Sequence, residues 1–302
     1  MNAKAPGGLW KRQRRKQTAV AYFLISPTLL IFLIFTLAPV VFALYMSFTN
    51  YNILSHKDWI GLDNYRRLAS DDDFANAVRV TLQYTLEVVP LNLAISLGLA
   101  LLINMKIRGL AFFRSAYYMP VVTSMIAVSM VWLWLYDPTY GLFNKLLSSI
   151  GLPEQTWLKD PGLALHAMVL LKVWKGVGAN MVIFLAGLQG IPKELYEAAS
   201  LDGASSLRKL WSVTIPLLRP TTFFVIIMTT IGTMQSFGEV YAMTGGGPSG
   251  STTNLVYLIY TRAFERMEMG YASAIATVLF ALILLLTVIN MTLVRGKADE
   301  AA

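Results

Sequence analysis

Cysteine is absent from the 302 residues, which excludes disulfides, thiolate-bound metals and cysteine nucleophiles. Histidine is nearly absent. His56 and His166 are too few for a histidine-rich metal centre, and no metal ligand set is expected. Charged residues are scarce, at 14% of the chain against about 25% in a soluble domain. No G-x-x-x-x-G-K-[ST] segment occurs, so the chain has no phosphate-cradling loop and is expected to bind no nucleotide cofactor itself. Gly245-Gly246-Gly247-Pro248 is glycine-rich but lacks the following Lys-Ser or Lys-Thr, and reads equally as a turn at a span end. No paired carboxylates or Ser/His/Asp set stands out, so no catalytic residue is nominated.

What the chain has is apolar length. It is 56% hydrophobic, with a mean hydropathy of +0.55. This composition fits an integral membrane protein. The net charge of +8 would suit nucleic acid in a soluble chain. Here basic loops facing an anionic leaflet are the better reading, and no nucleic-acid partner is expected. The charge-free run Gln17–His56 is 40 residues, too long for the apolar core of a signal peptide, and reads as an uncleaved first span. Runs poor in Asp, Glu, Lys and Arg mark six spans, at 19–48, 81–103, 115–136, 163–188, 221–243 and 269–294. The expected fold is all-α and polytopic, with one transmembrane domain over 19–294, a basic tail at 1–18 and a short tail at 295–302. Lys and Arg number six in the first tail, three in the second-to-third loop, four in the fourth-to-fifth loop and two in the last tail. That makes fifteen, against eight in the opposite loops, which places both termini in the cytoplasm.

One cytoplasmic loop differs from the rest. It contains ELYEAASLDGASSLRKLWSVTIPLLRP, Glu194–Pro220. Pro192 suits a helix start, and Lys193–Leu201 are mostly good helix formers. Gly203 suits a helix C-terminus, and Ser205 or Ser206 suits the cap of a second short helix. Pro216 and Pro220 precede the fifth span. Leu195, Ala199, Leu207, Leu210 and Trp211 form a candidate apolar side. A connector lying on lipid headgroups would favour bulky apolar and basic residues. The centre, EAASLDGA, is small and acidic, which favours close approach by another protein.

At these residues the sequence resembles the EAA loop of permease subunits in binding-protein-dependent ABC importers. The pattern is E-A-A, three residues, Gly, nine residues, then I-x-L-P. Here it reads Glu197-Ala198-Ala199, Gly203, then Val213-Thr214-Ile215-Pro216, with Val and Ile replacing Ile and Leu. AGLQGIPKELYEAA, LDGA, TGGGPSGSTT and YLIYTRAFERMEMGYASAIA resemble the carbohydrate branch, so the likeness covers nearly the whole chain. The resemblance implies a type I importer permease in a bacterial or archaeal cell membrane. It implies that loop 190–220 is a coupling helix, with Glu197, Ala198, Ala199, Asp202, Gly203 and Ala204 meeting an ATPase subunit. The implied partners are a second related permease in a heterodimer, two ATPase subunits holding ATP and Mg, and an extracytoplasmic solute-binding protein. Gly245, Gly246, Gly247 and Pro248 would lie on the side of that protein. The implied activity is alternating-access import of a sugar or oligosaccharide, without enzymatic activity in this chain. A phosphorylated polyol or other small anionic solute is the alternative, and a six-span channel or receptor a remote one.

Charged and polar residues inside spans usually mark function. Lys172, Lys175, Gly176 and Asn180 lie in the fourth span, and Thr233, Gln235, Ser236 and Glu239 in the fifth. The resemblance places sugar contacts in these two segments. Snorkelling lysines and interhelical hydrogen bonds are the structural alternatives. Glu87, in the second span, is expected to reach the outer interface. Counted from the cytoplasmic ends, Lys172 stands about 24 Å up and Glu239 about 27 Å. Lys175 and Gln235 match similarly, about 20 and 21 Å up. Either lysine is therefore expected to pair with Glu239, with Gln235 and Ser236 below facing the solute. Trp132, Trp134 and Tyr136 read as an interfacial aromatic belt or as stacking groups for sugar rings.

Overall fold

A computed structural model describes residues 7–52, 58–105 and 109–298. The ends of both tails, with Lys4, His56, Lys57, Lys106 and Arg108, lie outside the described residues. Among those described, the only pairing of extended backbone is one bridge between Thr49 and Trp59.

Helix α1, Gly7–Phe32, passes through a π turn at Leu33–Leu37 into α2, Ala38–Met46. The backbone of the basic tail is therefore helical from Gly7. Pro39 explains the wide turn, since it has no N–H and its ring would crowd the carbonyl one turn back. The short α3, Asp63–Ala69, precedes α4, Asp72–Asn104. Asp71 starts α4 by accepting from the amides of Asp73 and Phe74.

Residues 115–136, one apolar stretch by hydropathy, are divided between α5, Leu110–Val122, and α6, Met125–Leu135. The two helices meet at 101°. Pro120 weakens the last turn of α5, and Thr123 and Ser124 are extended. The amphipathic α7, Leu142–Ser149, leads to α8, Ala164–Gln189. The loop that follows carries α9, Lys193–Leu201, α10, Ser206–Lys209, a π turn at Leu210–Thr214 and α11, Ile215–Leu217. This second arm bends by 66° into α12, Arg219–Met234.

Residues 221–243 are also not one helix. After α12, Gln235–Phe237 are non-helical, and the chain resumes as α13, Gly238–Met243. Then come α14, Leu255–Tyr260, a π turn at Thr261–Glu265 and α15, Met269–Ala298. Among the described residues, four helices are each long and apolar enough to cross a membrane, Val20–Met46, Asp72–Asn104, Ala164–Gln189 and Met269–Thr292. The bent pairs α5–α6 and α10/α11–α12 account for the other two apolar stretches, giving up to six crossings.

The core is built around α8. Met168, Leu171, Met181 and Phe184 are fully buried on it. It packs along α4 and against α5 and α12. Glycine makes the closest approach possible. A Cβ at Gly178 would overlap the backbone carbonyl of Tyr117 on α5, and one at Gly176 would lie 2.7 Å from Asn92 Nδ2 on α4. By contrast, the Val20–Met46 span is hardly buried by the rest of the chain, as suits a helix solvated by lipid or by another subunit.

Candidate functional site

Two regions combine function-bearing residues, one on the loop between α8 and α12 and one between the spans. On the loop, α9 ends at Asp202, and Gly203 follows in the left-handed region with φ +75°. The Ala204 amide donates to Ala199 O at 2.9 Å, closing the turn. Ser205 is the cap of the second arm, accepting from the Arg208 amide. Two side-chain bonds lock the arms together: Tyr196 to Thr214 at 2.9 Å, and Lys209 Nζ donating to Ser200 Oγ at 2.6 Å.

The hairpin is mounted on the core. Ile191 and Leu218 are buried with Ala100, Ile103 and Phe184, and Tyr196 packs against that cluster. A Cβ at Gly187 would press on Leu218 and Thr221, so the end of α8 fits directly into the elbow before α12. The hairpin base thus shares one core cluster with residues of α4, α8 and α12.

The opposite face projects outward. Glu197, Ala198, Asp202 and Gly203 are exposed, while Ala199 and Ala204 are half-buried. Leu201 beside them is 90% exposed, and Leu207 and Trp211 are also open. An unclothed leucine between two acidic residues at a small-residue tip fits a protein groove better than a lipid surface. The expected apolar side omitted Leu201. Its place immediately before the Asp-Gly turn, where the helix ends and its last side chain protrudes, was the available signal.

Between the spans, a cavity of about 280 Å³ is lined by Val121, Met125, Lys172, Lys175, Gly176 and Ala179. Lys172 Nζ lies 2.9 Å from Glu239 Oε1, so the ion pair expected from helical depth is formed. Glu239 is buried, and the Tyr84 hydroxyl lies 3.2 Å from the same oxygen. Lys175 does not share the carboxylate. It donates to the backbone carbonyls of Pro120 and Thr123, at 2.8 and 2.7 Å.

The remaining expected pathway residues are elsewhere. Asn180 donates to Asn92 Oδ1 at 2.6 Å and to Thr229 Oγ1 at 2.9 Å, joining the second, fourth and fifth spans. Thr233 and Ser236 are buried, with hydroxyls turned onto the carbonyls of Thr229 and Gly232. Gln235 is exposed. Asn92, like Glu87, stands out in the sequence as a polar residue of the second span. Tyr84 and Thr229 were not nominated, since tyrosine and threonine in a span give no sign.

Three further expectations meet the structure at the end of the bundle away from the hairpin. Glu87 is half-buried and lies 2.7 Å from His166 Nδ1. Trp132 and Tyr136 are buried core residues, ringed by Phe143, Trp157 and Trp174, and Tyr136 donates to Ala167 O. Of the three aromatics only Trp134 is exposed as a belt residue would be. Gly245–Pro248 form a closed loop: Thr252 and Thr253 donate to the carbonyls of Gly247 and Gly246. A Cβ at Gly246 would collide with Thr253 and Tyr257.

Comparison with known proteins agrees with this geometry. The profile of a family described as "Binding-protein-dependent transport system inner membrane component" matches residues 82–298. The probable ABC transporter permease protein YesP of Bacillus subtilis is 36% identical over 283 residues, covering 92% of this chain and 91% of that one. The trehalose/maltose transport system permease protein MalF of Thermococcus litoralis is 32% identical, covering 96% and 99%. The sn-glycerol-3-phosphate transport system permease protein UgpA of Agrobacterium fabrum is 33% identical, covering 91% and 94%. Among solved structures, a chain of a bacterial ABC transporter that imports the acidic polysaccharide alginate superposes with a TM-score of 0.81 at 24% identity, covering 95% of this chain and 98% of that one.

Proposed function

This chain belongs to the family of binding-protein-dependent transport system inner membrane components, and from that premise we propose that it is the permease half-channel of an ATP-driven importer of a sugar or oligosaccharide. The observation that carries the coupling role is the hairpin: a small, acidic, exposed tip mounted rigidly on the ends of three spans. ATP hydrolysis belongs to separate ATPase subunits. Two of these, holding ATP and Mg, would seat this hairpin and that of a second, related permease. Closure of the ATPase pair would then push α9 and swing the spans it is fixed to. Both termini would face the cytoplasm with the hairpin. The solute-binding protein would dock at the other end, where the Gly245–Pro248 loop is held in one shape by its threonines.

The sugar reading rests on relatives such as the trehalose/maltose permease. The solute would pass the cavity beside Lys172, Lys175 and Gly176, with Glu239, Asn180, Thr233, Gln235 and Ser236 as candidates exposed in other transport states. A glycerol-phosphate permease among the relatives favours a second reading, an anionic solute at the two lysines. Ala198→Trp tests the coupling role, because it adds bulk at an exposed site and disturbs no packing within the chain. Membrane insertion is expected to be normal, with uptake and binding-protein-stimulated ATP hydrolysis both lost. Undiminished uptake would remove the hairpin from the mechanism. Binding of the co-encoded solute-binding protein to a panel of neutral and phosphorylated sugars decides between the solute classes.

A further inference from the structure

Two membrane stretches are broken, at Thr123–Ser124 and at Gln235–Phe237. In hydrocarbon a broken helix leaves carbonyl groups that need donors from another element. At the first break the Lys175 ammonium donates to the carbonyls of Pro120 and Thr123, and the Thr123 hydroxyl also donates to Pro120 O. At the second, Asn254 donates to Ser236 O at 2.7 Å, and Glu239 in the first turn of α13 holds Lys172. Lys172 and Lys175 are one turn apart on α8 and so lie on one face. The short helices beyond the breaks pack on each other, and a Cβ at Gly238 would sit 3.4 Å from Met125.

We infer that Lys175 is a positioning residue that pins the break of the third membrane stretch to α8, and that with Lys172 it holds α6 and α13 as one unit beside the cavity, whose wall includes Met125 at the start of α6. The C-terminal carbonyls of α5 carry partial negative charge, which compensates the ammonium where it stands. Lys175 then needs no anionic solute to account for its place in the membrane. The inference deepens the reading of the cavity as solute path, and rests on that reading only for its effect on uptake.

The absence of cysteine makes a clean test. Val128 on α6 and Val240 on α13 are both buried. Val128→Cys and Val240→Cys would each serve as a single reporter, in the full chain assembled with its partner subunits in membranes. The probe is a water-soluble maleimide. Adding Lys175→Met is expected to raise the labelling rate at both reporters about tenfold or more, since losing charge-assisted bonds shifts a local opening equilibrium by at least that factor. Lys175→Arg keeps donors at the carbonyls and should label at the parent rate. Unchanged labelling in Lys175→Met overturns the inference, and if uptake falls meanwhile it assigns Lys175 to the solute. A rise at Val128 alone upholds the pin and overturns the single moving unit. Should Lys175→Met fail to accumulate, Lys175→Arg decides: slow labelling supports the pin and fast labelling refutes it. These labelling outcomes stand even if uptake shows the cavity to lie off the solute path.

Discussion

At the scale of single residues, Gly203 and Gly178 are required for different physical reasons. Gly203 is required by its own backbone, at φ +75°, with nothing near its absent side chain. A β-branched residue there meets strain of roughly 1–3 kcal/mol and no clash. Gly203→Val should therefore insert normally, and in reconstituted importer it should lose most ATP-driven uptake because the tip changes shape. Its place after a run of helix formers made this legible. Gly178 is required by a neighbour, the Tyr117 carbonyl on α5. Gly178→Ala should destabilise the protein by about 1–3 kcal/mol through overpacking against backbone. Gly98→Ala, on a helix position with nothing within 4 Å, should leave stability unchanged or slightly raised. Thermal unfolding in detergent compares the two. Nothing in the sequence separates these glycines, because the difference arises only when α5 meets α8.

At the scale of elements, hydropathy located the apolar stretches and missed how they are used. It sums transfer energy over a window and cannot see that Pro120, or Gln235 through Gly238, divides a stretch in two. Helical depth did find the Lys172–Glu239 pair, since rise per residue survives in α8 and in most of α12. Removing either partner of a buried pair costs about 3–5 kcal/mol. Lys172→Glu and Glu239→Lys should each impair uptake strongly, and the double reversal should recover a large part of it. No recovery would show that the pair is not what either residue contributes.

The end of the bundle away from the hairpin is tied differently. Arg262, buried in its π turn, contacts Asp71 at 3.0 Å and Asp73 at 2.8 Å, and Arg67 forks onto Glu268. Burial works against the ionised Asp71. The Tyr271 hydroxyl, the Arg262 charge and the amides of Phe74 and Asp73 outweigh it and hold the carboxyl below its ordinary value of 3.8. A depressed carboxylate stabilises the fold above that ordinary value, and the contribution is lost as pH falls through the folded-state value. Wild-type protein should lose thermal stability as pH falls below about 4, and Asp71→Asn should show a flatter profile there. Equal slopes would mean that Asp71 is not held by these partners.

For the whole molecule, the sparsely buried first span and the single hairpin point the same way: the chain is built to work in an assembly. Composition, charge bias and the EAA pattern made the membrane class and the family legible, because each is a property of sequence alone. The choice of facing side chains was not, because helix rotation is set by partners such as Gly178 and Tyr117 rather than by pattern. The expected assembly is one copy of this chain, one of a second permease and two of an ATPase subunit. The most direct measurement is ATP-driven solute uptake into proteoliposomes containing that assembly and supplied with the binding protein. The account predicts uptake that requires both ATP and binding protein, and that is abolished by Ala198→Trp while the four subunits still co-purify. Solute flux that persists without ATP, or that survives Ala198→Trp unchanged, would contradict it.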